Sequence, residues 1–223
     1  MNETSKTKHL WTDAERRLLT GSGIDIGFGP VPVFPDVRRF DVEDGDANHI
    51  TAHVFETFDF VYSSHCLEHM HDPPNALAEW WKLVKPGGVM MVIVPDEDLY
   101  EQGVFPSRFN GDHKATFTIS KTRSWSPRSY NLLDLALALP DAELVGIALQ
   151  DVAYDRRLMT AGDRPFTGLV RFAHRVARFC ERRFGWRPRL ADRLIEIIGP
   201  VDQSLRTDTV AQIQCIVRNC RSA

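Results

Sequence analysis

Cysteine is scarce in this chain. There are four in 223 residues (Cys66, Cys180, Cys215 and Cys220), and no two form a C-x-x-C pair. That excludes a disulfide framework and a cysteine-based metal cluster, and it points to reduced thiols in a cytoplasmic protein. No apolar run reaches the roughly eighteen residues of a membrane span. Residues Met1 to Lys8 are polar and lack the hydrophobic stretch of a secretory signal. Charge of one sign is missing too: 27 Lys and Arg stand against 30 Asp and Glu, for a formal net charge of −3. That balance gives no electrostatic case for nucleic acid as a partner. No repeat or low-complexity tract is visible. What is present is ordinary globular composition, 43% apolar and 26% charged, in a chain long enough for one domain with a sizeable core.

The hydrophobic pattern alternates between strand and helix signals. Leu10 to Leu19 reads as a short amphipathic helix capped by Thr12 or Asp13. Gly23 to Ile26 is a buried strand running into the turn Gly27-Phe28-Gly29, and Val37 to Phe40 is the next strand, ending at Asp41. Pro30, Pro32 and Pro35 leave no room for a helix between them, so the first crossover is expected as an irregular loop. Phe58 to Ser63 is a strand rich in aromatic and β-branched residues. Asp72 then caps a helix with proline in its first turn, and Ala76, Leu77, Trp80, Trp81 and Val84 recur at helical spacing. Pro86-Gly87-Gly88 stops it, and Val89 to Val94 has the unbroken apolarity of a parallel strand covered on both faces. Together these make a right-handed βαβ unit. Further on, Tyr130 to Leu139 and Gly168 to Phe184 read as helices, and Glu143 to Ile147 and Ala211 to Val217 as strands.

Gly27 and Gly29 allow a sharp turn and a close approach of backbone to ligand. The dinucleotide fingerprint G-x-G-x-x-G fails, because Pro32 occupies the third glycine position. A pyrophosphate wants a helix N-terminus behind such a loop, and the prolines offer a poor one. Asp41 at the end of the second strand is placed to accept ribose hydroxyls, with Asp44 as a competing inward carboxylate. A nicotinamide-dependent reductase or epimerase would use a similar sheet. It is weakened because no tyrosine here is followed by lysine four residues on.

Two segments carry a family resemblance. Asp25-Ile26-Gly27-Phe28-Gly29, followed by Phe58 through His69 in the form FDxVxxxxxLEH and then Lys85-Pro86-Gly87-Gly88, resembles the class I S-adenosylmethionine-dependent methyltransferases, in their small-molecule branch. The match covers roughly Gly23 to Asp98. It implies a Rossmann-like α/β sheet with helices on both faces, abbreviated after the first strand and with a helical insert before the last. The expected organisation is one domain over 1–223: a cofactor-binding half at 10–98, an acceptor-binding region with the insert at 99–210, and a final strand at 211–218. S-adenosylmethionine would be held by Asp25, Gly27, Phe28, Gly29, Asp41, Asp46, Ala47, Ser64 and His65, with His69 orienting groups or taking part directly. Only four residues separate Asp41 from Asp46, so the usual helix and third strand between them are expected to be absent or vestigial.

The stretches Asp96 to Gly103 and Asn110 to Lys114 resemble a subgroup of uncharacterised bacterial methyltransferases associated with glycan or surface-polysaccharide assembly, with Ala115 where that pattern carries an aromatic. The resemblance implies methyl transfer to a hydroxyl of a sugar, a glycan precursor or a similar small metabolite. His113 is the expected general base, since an unperturbed histidine titrates near neutrality, and Asp112 its orienting partner. Tyr100, Arg108, Asn110 and Trp125 are candidate acceptor contacts. The acids Asp96, Asp98 and Glu101 read as a solvated helix start rather than a metal site. The late segment carries Arg171, Arg175, Arg178, Arg182 and Arg183 among Val170, Phe172, Val176, Phe179 and Phe184, and Arg187 and Arg189 extend it. It is expected to pack its apolar face on the sheet; the alternative is contact of 171–189 with an anionic membrane or a phosphate-bearing acceptor. A catalytically inactive partner protein of the same fold is the other alternative, and a second subunit could cover the sheet edge left by a missing strand.

Overall fold

The computed structural model describes residues 3–119, 121–156, 159, 167–186, 188–190 and 201–222. Its centre is a six-stranded sheet. Four strands run parallel: β1 (Gly23–Ile26), β2 (Arg38–Phe40), β3 (Phe58–Ser64) and β4 (Val84–Pro95). A short parallel pair, β5 (Thr116–Thr118) and β6 (Ser129–Asn131), lies apart from it. The main sheet is completed by β7 (Ala142–Gln150) and β8 (Gln212–Asn219), in the order β2-β1-β3-β4-β8-β7, with β8 antiparallel to both neighbours. Such a sheet places ligands at the carboxyl ends of its parallel strands.

The unbroken apolarity of β4 is explained by two covered faces. Met90, Val92 and Val94 join one core cluster with Leu77, Trp80 and Trp81, while Val89, Met91 and Ile93 join another with Trp11, Phe60 and Tyr62. Successive residues point to opposite faces, so every position of the run is used. β4 begins earlier than expected, at Val84. The register shift between Phe58 and Phe60 on its partner accommodates Pro86-Gly87-Gly88 inside the strand.

Local signals set the helices. Helix α1 (Glu3–Lys8) has no counterpart among the sequence expectations. Thr12, not Asp13, caps α2 (Asp13–Leu18): its hydroxyl accepts from Glu15 N–H at 3.2 Å and the Glu15 carboxylate accepts from Thr12 N–H at 2.7 Å. Asp72 caps α3 (Pro73–Trp81) as its sequence implies, and α4 (Leu132–Leu137) and α5 (Thr167–Phe184) follow.

No third strand lies beyond β2 among the described residues. A 3₁₀ turn, Ala47–Ala52, stands there instead, and the Trp80 indole of α3 fastens it by donating to Ala47 O at 2.8 Å. The exposed edge is only three residues long and carries Arg38 and Arg39 outward. A short, charged edge resists pairing without a covering subunit.

Candidate active site

Three loops at the carboxyl ends of β1, β2 and β3 enclose a cavity of about 690 Å³. Its walls include Gly27, Gly29, Asp41, Asp46, Ala47 and His65, together with Cys66, His69, Met70, Asp112 and Lys114. Of the nine expected cofactor contacts, six therefore stand on one wall. The other three do not. Asp25 is buried beneath the turn, where its Oδ2 accepts from Val33 N–H at 2.6 Å and folds the proline-rich loop back onto β1. Burial pushes its carboxyl up to about 7. Phe28 is not part of the cavity wall, and the Arg39 guanidinium stands over its ring at 5.8 Å. Ser64 is buried at the end of β3.

The two glycines do different work. Gly27 has φ +72, and a Cβ on it would come within 2.6 Å of Cys66 Cβ and Sγ. Gly29 has φ +57 and nothing within 4 Å of where its Cβ would lie, so that side of the turn is open to the cavity. Asp41 steadies the turn by accepting from Gly29 N–H at 3.1 Å and keeps its carboxylate on the wall. Asp44 is spent on the backbone, accepting from Asp41 N–H at 2.9 Å. Asp46 caps the 3₁₀ turn by accepting from Asn48 N–H at 2.9 Å, and the Asn48 side-chain hydrogen bond holds its carboxyl below the usual range. Glycine without a Cβ, a strand-end carboxylate and a second carboxylate beside Ala47 suit a nucleoside with free hydroxyls and an exocyclic amine.

At the other end of the cavity lies a histidine–carboxylate cluster. His65 sits at φ +55, a conformation rare for a residue with a Cβ. Its Nε2 contacts Gln212 Oε1 of β8 at 3.0 Å and its Nδ1 lies 3.5 Å from Glu68 Oε1. His69 contacts Asp112 Oδ2 through Nδ1 at 2.9 Å. His113 contacts Glu101 Oε1 through Nδ1 at 2.6 Å, and its ring lies 5.0 Å from that of His69 and 5.2 Å from that of Tyr100. Glu68 is fully buried among them. Burial pushes its carboxyl up, but the surrounding histidines outweigh that and hold it below the usual range.

Two expectations about this region need correction. Asp112 does not orient His113; its carboxylate serves His69 and Lys114, and the partner of His113 is Glu101. Backbone alternation is the reason. Along Asp112-His113-Lys114-Ala115 burial switches at every residue, and Lys114 N–H and Ala115 N–H both reach Glu68 O, so neighbouring side chains point to opposite sides. His113 is buried and does not line the cavity, whereas His69 does. The acids Asp96, Asp98 and Glu101 are not a solvated helix start either. Asp96 caps the turn Glu97–Glu101 by accepting from Asp98 and Leu99 N–H, Asp98 pairs with Lys121, and Glu101 is buried on His113.

The expected acceptor contacts divide. Tyr100 stacks against His113 and Phe109, and Asn110 accepts from Asp112 N–H at 3.1 Å, so both brace the cluster. Trp125 donates to Asp98 and, like Arg108, is not part of the cavity wall. Glu68, Cys66 and Gln212 have no assigned site role in the sequence reading, and Glu101 enters it only among the acids of a solvated helix start. Only Glu68 carried a signal, as part of Leu67-Glu68-His69.

A family model described as a methyltransferase domain matches residues 8–138. The chain belongs to the methyltransferase-domain family. Among solved structures, a protein assigned as a methyltransferase from Bacillus halodurans superposes with a TM-score of 0.51 at 11% identity, covering 98% of this chain and 99% of that one. A protein assigned as a sarcosine dimethylglycine methyltransferase from Galdieria sulphuraria gives 0.50 at 13%, covering 98% and 84%. A phosphoethanolamine N-methyltransferase 2 from Haemonchus contortus, in complex with phosphomonomethylethanolamine and S-adenosylhomocysteine, gives 0.50 at 12%, covering 99% and 53%. No curated protein matches the chain in sequence. The methyltransferase therefore has a Rossmann-like sheet, and the turn Ala47–Ala52 stands beyond its β2 edge, where no further strand lies among the described residues. The late helix departs from expectation: Phe172, Phe179 and Phe184 are exposed, and among the described side chains of the helix Ala173 and Ala177 are the buried ones. Arg187 lies outside the described residues. No described helix is long and apolar enough to cross a membrane.

Proposed function

We propose that this methyltransferase takes S-adenosylmethionine as methyl donor and methylates a hydroxyl oxygen on a sugar, glycan precursor or similar small hydroxylated molecule. When bound, that cofactor supplies a methyl group already activated on a sulfonium, whose bonding pair returns to sulfur on transfer. Gly29 leaves room for the nucleoside, Asp41 accepts the ribose hydroxyls, and Asp46 with Ala47 faces the adenine edge. His65, at the carboxyl end of β3, borders the methionine end.

The observation that carries the choice of oxygen is the histidine–carboxylate cluster at one end of the cavity. A neutral amine attacks a sulfonium carbon without help, but a hydroxyl must lose its proton as the new bond forms. His69 with Asp112 at the wall, backed by His113 and Glu101, is the centre where the acceptor hydroxyl loses that proton. Lys114 on the same wall is a donor for further acceptor oxygens. Calorimetric titration with S-adenosylmethionine, S-adenosylhomocysteine and NADH tests the cofactor, and only the two sulfur nucleosides are expected to bind. Transfer of labelled methyl to a panel of sugars and nucleotide sugars tests the acceptor; transfer to amines alone would overturn the oxygen assignment.

The exposure of Phe172 and Phe179, seven residues apart and flanked by exposed Arg175, Arg182 and Arg183, supports a second element of the reading. Aromatic rings among arginines on one helix face suit an anionic membrane surface, with the rings at headgroup level. The enzyme would then work beside a membrane without spanning it.

A further inference from the structure

Three side chains of the cluster converge in a way that hydrogen bonding does not explain. His69 Nε2 and His113 Nε2 lie 4.0 and 3.9 Å from the same atom, Glu68 Oε1. One donor atom from each of Glu68, His69 and His113 falls within 4.8 Å of the others. Each of these histidines has its Nδ1 on a carboxylate, Asp112 for His69 and Glu101 for His113. A neutral imidazole whose Nδ1–H donates to a carboxylate presents a lone pair at Nε2. Both lone pairs are thus turned toward a buried carboxylate, whose Oε1 has His65 Nδ1 at 3.5 Å and whose Oε2 has no hydrogen-bond partner among the described residues. Acceptors facing acceptors in a buried site is unfavourable unless something positive lies between them.

We propose that Glu68, His69 and His113 form a site for one divalent transition-metal cation of the Zn²⁺ type at the wall of the acceptor end of the cavity. Two imidazoles and one carboxylate are a donor set that zinc accepts, with a fourth position left for water or substrate. Tetrahedral bonds of about 2.0–2.1 Å place ligand atoms about 3.3 Å apart, so the three side chains close by about 1 Å on binding. Asp112 and Glu101 are the outer carboxylates that fix the histidine tautomers, the support that metal-binding histidines ordinarily have. Two imidazoles disfavour Mg²⁺, which prefers oxygen. The proposal rests on the acceptor site of the preceding section. A hydroxyl bound at the open position is acidified by the cation and loses its proton to solvent, so that His69 and His113 act as ligands rather than as bases.

The test uses the full chain, stripped with chelator and titrated with Zn²⁺, Co²⁺ and Mg²⁺ while S-adenosylhomocysteine affinity is measured in parallel. One Zn²⁺ per chain is expected at micromolar affinity or tighter, with no saturable Mg²⁺ binding. Co²⁺ should give the intense visible bands of a tetrahedral site. His69→Ala and His113→Ala should each weaken Zn²⁺ more than 100-fold, and Asp112→Asn, whose side chain is largely exposed, by 10–100-fold; His9→Ala is the surface control. Retained S-adenosylhomocysteine binding certifies that a variant is folded. Zn²⁺ bound equally by wild type and both histidine variants, or not bound by wild type, overturns the cation site. If S-adenosylhomocysteine itself fails to bind wild type, the methyl-donor reading falls instead, and the two failures are read from separate titrations.

Discussion

Alanine at Gly27 and alanine at Gly29 are similar changes two residues apart, and they should fail for different reasons. Both positions have positive φ, where a Cβ costs about 1–2 kcal/mol. At Gly29 that strain is the whole cost to the protein, since the new methyl meets nothing within 4 Å. At Gly27 the methyl would overlap Cys66 Cβ and Sγ at 2.6 Å, in a buried setting where overpacking costs roughly 1–3 kcal/mol more. Gly27→Ala should therefore lose about 2–5 kcal/mol and Gly29→Ala about 1–2. Urea unfolding of the two variants reads this difference directly. Calorimetry with S-adenosylhomocysteine should show the reverse emphasis: Gly29→Ala stays folded yet binds at least about tenfold more weakly, because its methyl enters space the nucleoside needs. The simpler expectation from sequence is that the first glycine clears room for the ligand. That would make Gly27→Ala fully stable and unable to bind. Such a result would refute the packing argument, as would a Gly29→Ala variant that binds normally.

Asp25 links pH to stability. Its carboxyl is raised from 3.8 to about 7 by burial, so between those values the folded state holds a proton that the unfolded state has released. Stability is then highest below about pH 4 for this group and falls as pH rises through 7, by about 1.4 kcal/mol per unit and about 4 kcal/mol in all. Asp25→Asn should flatten that decline in urea unfolding at pH 5 and pH 8; parallel slopes for variant and wild type would refute it. Trp80→Phe removes the donor to Ala47 O and should cost about 1–3 kcal/mol while weakening S-adenosylhomocysteine through the loosened Ala47 wall. Glu101→Gln should lower kcat by 10–100-fold with cofactor affinity unchanged, since it touches the cluster only through His113. Phe172→Ser with Phe179→Ser should abolish co-sedimentation with anionic vesicles and leave methyl transfer to a soluble acceptor intact; sedimentation equal to wild type would end the membrane reading.

Elements with a strong local cause were legible in the sequence. The strand Gly23–Ile26 and the helix opened by Asp72 and Pro73 appear where pattern and caps place them. The long apolar strand is covered on both faces, as its missing alternation requires. What could not be read depends on tertiary partners. The turn Ala47–Ala52 is kinked at His49 and is held by an indole thirty-three residues away, so no local period announces it. The same holds for Glu101 and His113, twelve residues apart across a stretch that turns through left-handed Gln102 and Gly103. The sequence neighbour Asp112 was the natural partner to name, and the alternation of the backbone sends it elsewhere.

The abbreviation after β1 raised the reading of a degraded, inactive pocket, and the geometry weighs against it. A pocket under no demand to bind would be expected to fill its space with side chains, since packed interiors leave few voids. Here a fastened turn stands where the strand is missing and keeps Asp46 and Ala47 on the cavity wall with Gly29. His65 is held in a left-handed conformation at the end of β3, and Glu68 is buried with His65 Nδ1 3.5 Å from its Oε1 and no hydrogen-bond partner on its Oε2 among the described residues. Both are costly arrangements that stability alone would remove. A strained residue on the cavity wall, with a buried charge packed behind it, is a feature of a site that works.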